Sequence, residues 1–312
     1  MKYHLPVILG PTAVGKTGIS LTVAKNLEAE IISADSMQIY RGMDIGTAKV
    51  DKVNRKNIPH HLIDIIDPDQ EFSVADYQQK VDKIIPDIYA QNKIPIMVGG
   101  TGLYIQAVIE GFILPEMEKD EELRQNLRKE AKEYGNEYVH NKLKEIDPTL
   151  AEKLHPNDLR RVIRGIEIYF QTGKTKTYFV KKQAESDNRY RALKIGLKRN
   201  REELYRRIND RVDAMIEAGL IEEVKEIREN FNNISKTAGQ ALGYKEIFAY
   251  LEGDYSLQEA IRLIKRNTRH FAKRQITWFK RDENILWFNL TDLSRTEVIN
   301  KITTFIKKFL PH

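Results

Sequence analysis

The chain has 312 residues, 41% hydrophobic and 31% charged, with 17 Gly, 10 Pro and no Cys, which suits one large or two ordinary domains and excludes wholesale disorder. The lack of cysteine excludes disulfides, thiolate zinc sites and cysteine nucleophiles; no apolar run approaches the roughly 20 residues of a membrane span, and Met1–Pro6 has no signal-peptide pattern, so the expected compartment is the cytoplasm. The net charge is +6, and the stretch Gln258–Asp282, with eight basic and two acidic residues, carries the entire excess, which points to a polyanion-facing surface.

Through the first hundred residues, short apolar runs alternate with helical patterns, the sign of a parallel sheet wrapped by helices. Leu5–Leu9 predicts a buried first strand. Ile31–Ser33, Leu62–Ile66 and Ile94–Val98 predict three more, the last with Pro95 near its start, where a missing N–H is tolerated. From about Pro115 the texture changes. Glu116–Gln183 is charged and helically spaced, with breaks at Gly135, Asp147-Pro148, His155-Pro156 and Gly173. Leu193–Leu197 returns to strand, and Asn200 is the expected N-cap of a helix reaching Ala218. Helices dominate to Phe279, followed by a strand at Asn284–Phe288 and a helix after Asp292. The expected fold is α/β, with a parallel-sheet core at residues 1–115 and 193–312 that includes the C-terminal helices. A helical domain is inserted at 116–192.

The first strand runs into Gly10-Pro11-Thr12-Ala13-Val14-Gly15-Lys16-Thr17, which fits G-x-x-x-x-G-K-[ST] and precedes a helical run Ile19–Leu27. The glycines let the backbone turn its N–H groups toward phosphate oxygens. Lys16 adds a charge, the helix N-terminus adds its dipole, and the Thr17 hydroxyl can hold Mg²⁺. Such a loop binds a di- or triphosphate without saying what becomes of it. A phosphotransferase would use it on the terminal phosphoryl group, and an alkyl transferase on a diphosphate leaving group. Gly173-Lys174-Thr175 lacks the earlier glycine, Ile168 standing in its place, and reads as an ordinary loop.

Other candidates cluster at strand ends. Asp35, after the second strand, falls where an open α/β sheet lines its ligand crevice; a carboxylate there is suited to hold Mg²⁺ through water, cap a helix or act as general base. Gly99-Gly100-Thr101-Gly102 offers close backbone approach and a hydroxyl. His60-His61 should point to opposite faces of a strand, which argues for structure over a metal site. Arg207 and Arg211 are four apart on one helix and can clamp one anion. Along Ile261–Lys280 the basic residues Arg262, Arg266, Arg269, Lys273 and Lys280 follow one helical side and Ile261, Ile264, Thr268, Phe271 and Trp278 another, a pattern suited to nucleic acid.

Seven segments occur in order: the phosphate loop Gly10–Thr17, Ser33-Ala34-Asp35-Ser36-Met37-Gln38-Ile39-Tyr40, His60-His61-Leu62-Ile63-Asp64, Gly99-Gly100-Thr101-Gly102-Leu103-Tyr104, His155-Pro156-Asn157-Asp158, Gly243-Tyr244-Lys245-Glu246 and Lys273-Arg274-Gln275-Ile276-Thr277-Trp278-Phe279. Together they resemble the bacterial tRNA dimethylallyltransferase family over nearly the whole chain. The resemblance implies a P-loop NTPase-like core that moves a dimethylallyl group from dimethylallyl diphosphate to N6 of the adenosine 3′-adjacent to the anticodon. It further implies Asp35 as general base, Thr101 beside the bridging oxygen and target adenine, and Lys16, Arg207 and Arg211 on the diphosphate, with Mg²⁺ near Thr17. Base and prenyl donor would enter a tunnel from opposite ends. Contacts to the tRNA anticodon stem-loop carry over to Asp35, Ser36, Met37, Gln38, Thr101 and Arg124, and to Arg160, Arg161, Val162, Ile163 and Arg164. They carry over equally to Gln240, Ala241, Leu242, Gly243, Tyr244 and Lys245, and to Lys273, Arg274, Gln275, Ile276, Thr277, Trp278, Phe279 and Lys280. A monomer is expected. The rival readings are a small-molecule kinase, a relative prenylating free adenine nucleotides and a non-catalytic RNA-binding module.

Overall fold

The computed structural model of the chain describes residues 2–115 and 117–311. Met1 and His312, the ends of the expected core, and Glu116, the first residue of the expected insertion, lie outside the described residues. The chain divides into two compact units, residues 1–109 with 189–312, and residues 110–188.

The first unit is built on six strands: β1 (Tyr3–Leu9), β2 (Ala29–Ala34), β3 (His60–His61), β4 (Ile94–Gly99), β5 (Tyr190–Lys198) and β6 (Leu286–Asn289). They pair in the order β3-β2-β4-β1-β5-β6, all parallel. Parallel strands need helical crossovers and are covered on both faces, which explains their near-continuous apolar runs. In β1, Leu5, Val7 and Leu9 face one layer, with the helices Val74–Ala90 and Gly102–Ile109. Ile8 faces the other, with the helices Lys16–Leu27 and Arg295–Phe309. Burying each such aliphatic side chain contributes about 2 kcal/mol.

Register then sets the site. Leu9 and Ala34 are both level with Gly99 of the strand between them. The chain therefore leaves β1, β4 and β2 at one height, and with strands roughly 5 Å apart the first residues after β1 and β2 sit about 10 Å from each other.

Three expected elements differ from the structure. Leu62–Ile66 is not a strand: pairing stops at His61, because Leu62 (φ 62°) and Asp64 (φ 56°) are left-handed, a conformation that cannot continue a ladder. The Asp64 carboxylate takes Lys49 and Arg55 instead, at 2.5 and 2.6 Å. The last strand starts at Leu286 rather than Asn284. Asn200 does occupy the N-cap of Arg201–Glu217, but its side chain makes no cap bond; its Oδ1 accepts from Asn289 Nδ2 at 3.2 Å.

The second unit is helical: Glu121–Tyr134, Asn136–Ile146, Pro148–Ala151, Leu159–Thr172 and Lys176–Glu185. Its breaks are local chemistry. Gly135 and Gly173 have φ of 91° and 66° at helix ends. Asp147 caps the next helix by accepting from Leu150 N–H, with Pro148 at the first position, where no N–H is needed. A core of Leu127, Val139, Leu143, Leu150, Val162, Ile163 and Ile166 holds the unit together.

Candidate active site

The phosphate loop follows β1 directly. Gly15 at φ 111° forms the N-cap of Lys16–Leu27 and Ala13 is also left-handed at 61°. Alternating handedness of this kind curls successive N–H groups into an anion nest. Lys16 Nζ donates to the loop's own Gly10 and Pro11 carbonyls, both at 2.9 Å. Burial pushes its pKa down to about 8, with Asp35 opposing and Arg211 adding to the shift. Arg207 Nε donates to Ala13 O at 3.0 Å and Arg199 Nε to Val14 O at 2.9 Å, so two guanidiniums brace the loop from outside. Thr17, in the first helical turn, is exposed.

Across β4 lies Asp35. One carboxylate oxygen accepts from Met37 N–H at 2.9 Å, an Asx turn, and the other takes no hydrogen bond among the described residues. Thr101 Oγ1 accepts from Ser36 N–H at 3.0 Å, while Thr101 N–H donates to Ala34 O at 3.1 Å. The loops after β2 and β4 are thus stitched together. Below them Tyr77 stacks on Tyr104 with centroids 4.2 Å apart and donates to Ser33 O at 3.0 Å. Gln38 accepts from Ser33 Oγ and donates to Thr47 O at 3.2 Å.

Arg211 is close enough to Asp35 and Arg207 to feel both. Burial lowers its pKa, Asp35 opposes this and Arg207 adds to it. It lines a cavity of about 380 Å³ with Ala214 and Met215 of its own helix and Ile45, Ala48 and Lys49 of the loop after β2. That loop is anchored by a carboxylate: Glu223 accepts from the N–H groups of Asp44, Ile45 and Gly46 at 3.0, 2.8 and 3.3 Å and from Tyr244 OH at 2.5 Å. Lys49, whose side chain is only 2% exposed, pairs with Asp44 and Asp64.

The segments implied as tRNA contacts are mixed in placement, because helical periodicity turns part of each inward. On the helix Leu257–Phe279 and its C-cap, Lys273, Arg274, Thr277 and Lys280 are exposed. Trp278 is 38% exposed and Ile276 half-buried, while Gln275 and Phe279 are buried. Gln240 is exposed and Leu242 and Lys245 half-buried; Ala241 and Tyr244 are buried around Gly243. Val162 and Ile163 lie in the helical core, so their side chains are packing. Arg160 is exposed. Arg161 pairs with Asp158. Arg124 forms a two-pronged pair with Glu167, both bonds 2.8 Å, and Arg164 adds a third at 2.5 Å. Burial opposes ionisation of Glu167, yet these bonds hold its carboxyl below the usual range.

His61 pairs with Glu30 at 2.7 Å and His60 Nδ1 meets Ile58 O at 2.7 Å. No group of three His, Asp or Glu side chains suited to a metal gathers among the described residues. Sequence reasoning missed Glu167, Glu223, Lys49 and the inward role of Gln275. Glu167 did have a signal: it is four residues from Ile163, on the apolar side of its helix. Gln275 had one as well, standing between Phe271 and Trp278 on the apolar side of its helix; Glu223 and Lys49 depend on contacts that loops make only once folded.

The sequence matches the IPP transferase family over residues 38–282 and the isopentenyl transferase family over residues 3–65. It is 64% identical to the tRNA dimethylallyltransferase of Halothermothrix orenii over 306 residues, 98% of this chain and 93% of that one. The chain belongs to the tRNA dimethylallyltransferase family. It is therefore an enzyme of the prenyltransferase class, with that family's P-loop NTPase-like fold. The enzyme of Alkaliphilus oremlandii is 52% identical over 312 residues, covering 100% and 99% of the two chains. Among solved structures, the full-length tRNA isopentenylpyrophosphate transferase of Bacillus halodurans is similar with TM-score 0.74 and 46% identity, over 99% and 97% of the two chains. A eukaryotic dimethylallyltransferase acting on tRNA matches with TM-score 0.80 and 29% identity, over 98% of this chain and 80% of its own.

Proposed function

We propose that the enzyme transfers the dimethylallyl group of dimethylallyl diphosphate to N6 of the adenosine 3′-adjacent to the anticodon in tRNA, releasing diphosphate. The observation that carries this reading is the common level at which β1, β4 and β2 end; it supports a crevice with the loop after β1 on one side and, on the other, Asp35, one carboxylate oxygen of which takes no hydrogen bond among the described residues.

The adenine amine is a weak nucleophile because its lone pair is delocalised into the ring. As N6 bonds to the first prenyl carbon, the carbon–oxygen bond to diphosphate breaks and Asp35 takes the N6 proton. Charge accumulating on the departing oxygens meets the loop N–H groups and Lys16, with Arg211 on the cavity side. Thr101, held by Ser36, orients the acceptor near the bridging oxygen. The cavity beside Arg211 carries Asp44, Lys49, Asp51 and Arg55 in its wall, and its apolar part, Ile45, Ala48, Ala214 and Met215, suits a prenyl chain. The donor set also fits Mg²⁺, which keeps several waters and needs only one or two protein oxygens beside a diphosphate. Thr17 is the residue that would hold it, and the ion would supply charge neutralisation to the leaving group. The exposed Lys273, Arg274 and Lys280 and the partly exposed Trp278 supply phosphate contacts and a stacking surface for the tRNA.

Incubating the protein with dimethylallyl diphosphate, Mg²⁺ and unmodified tRNA, then weighing the nucleosides, tests the reading. A dimethylallyl mass gain on the adenosine beside the anticodon is expected. Labelled phosphate appearing on an acceptor from ATP, or prenylation of free adenine nucleotides alone, overturns it.

A further inference from the structure

We propose that Gln275 is a positioning residue that sets the separation between the diphosphate nest and the acceptor loop, so that the helix docking the RNA also holds the two halves of the reaction in register. The inference rests on the transfer reaction proposed above.

Gln275 is 7% exposed although its neighbours Lys273, Arg274 and Thr277 face solvent. Its amide is used at both ends. Oε1 accepts from Thr12 N–H of the phosphate loop at 2.9 Å, and Nε2 donates to Gly100 O of the loop after β4 at 2.9 Å. Only a side chain with one acceptor and one donor on the same carbon can make both bonds: a carboxylate has no donor, and lysine or arginine no acceptor. The gap is made to this measure. A Cβ on Gly100 would lie 2.3 Å from Gln275 Nε2 and 3.2 Å from Gly10 O, so a larger residue at position 100 would push the amide out of place.

The consequence is a continuous path of hydrogen bonds and peptide links. Thr12 is tied to Gln275, Gln275 to Gly100, and the next residue, Thr101, to Ser36 beside Asp35. Each bond is of ordinary length, 2.9 to 3.0 Å, and the path runs from the loop proposed to hold the leaving diphosphate to the residue beside the proposed base. The amide is also neutral, so it braces the nest without placing a negative charge beside a departing anion. Because Gln275 shares one rigid helix with the exposed basic residues, RNA bound to the outer side of that helix bears directly on the spacing of the inner side.

Two near-isosteric variants test this, read as single-turnover transfer rate, donor KM and tRNA affinity. Gln275→Met keeps the volume and removes both bonds. Gln275→Glu keeps the acceptor and loses the donor, but a protonated glutamic acid regains one donor and one acceptor. Misplacement of reacting groups by about 1 Å costs up to about 100-fold, so both variants should lose about 10- to 100-fold in rate, with tRNA affinity within about twofold of the unaltered protein. The rate of Gln275→Glu relative to the unaltered protein should climb as pH falls through the carboxyl's titration. A relative rate that stays flat with pH, or a loss confined to tRNA affinity, overturns the proposal. If Gln275→Met does not fold, the pH profile of Gln275→Glu decides alone. If the unaltered protein makes no prenylated adenosine, the transfer reading has failed; if it does and both variants match it, only the role of Gln275 has.

Discussion

The two units treat buried charge in opposite ways. In the helical unit, Glu167 is fully buried and wholly engaged by Arg124 and Arg164, so its charge is balanced and its role is to hold helices. In the α/β unit, the Asp35 charge acts on both Lys16 and Arg211, yet the three form no ion pair together among the described residues. Lys16 turns to backbone carbonyls and Asp35 to a backbone N–H. Charges that gather without neutralising one another are what a site for a charged ligand requires. Those that close on one another mark a scaffold.

Substitutions should divide along that line. Lys16→Met removes charge where the leaving group develops it, and about 10²–10³ of the transfer rate should go, with the thermal midpoint held; a rate within a few-fold of the unaltered protein would erase the contrast. Glu167→Ala leaves two guanidiniums facing an apolar core. Breaking a buried pair costs about 3 kcal/mol, read as earlier melting of the helical unit, while equilibrium binding of dimethylallyl diphosphate should not change.

A gentler probe is pH. Burial holds the Lys16 pKa down to about 8, whereas a bound diphosphate favours its charged form, so binding requires proton uptake once pH exceeds that value. Donor affinity should be flat below pH 8 and weaken by up to about tenfold per unit above it, measurable by calorimetry, and Lys16→Met should abolish the slope. Smallest of all, Arg160→Ala should weaken tRNA binding and lower the salt-dependence slope by about 1. The same test on Arg161, already paired with Asp158, should show less.

Much of this was legible in the sequence because it is local. The phosphate loop announces itself by glycine spacing between a strand and a helix, and Gly135, Asp147-Pro148 and Gly173 end helices by their own backbone chemistry. What could not be read depends on partners outside the segment itself. Leu62–Ile66 looks like a strand until Lys49 and Arg55 claim Asp64. Gln275 looks like one more residue of an RNA-facing segment until helical periodicity turns it toward Thr12 and Gly100. Val162 and Ile163 sit between arginines in sequence but under them in space. A family resemblance transfers contiguous segments, whereas a helix divides each segment between surface and core.

The central claim is that Asp35 takes the amine proton while the loop after β1 holds the departing diphosphate. The most direct measurement is the single-turnover transfer rate of Asp35→Asn, with tRNA and donor affinities determined on the same preparation. A loss of about 10²–10⁴ in rate, with both affinities within a few-fold of the unaltered protein, is the predicted result. An unchanged rate, or a loss explained entirely by weaker tRNA binding, would contradict it.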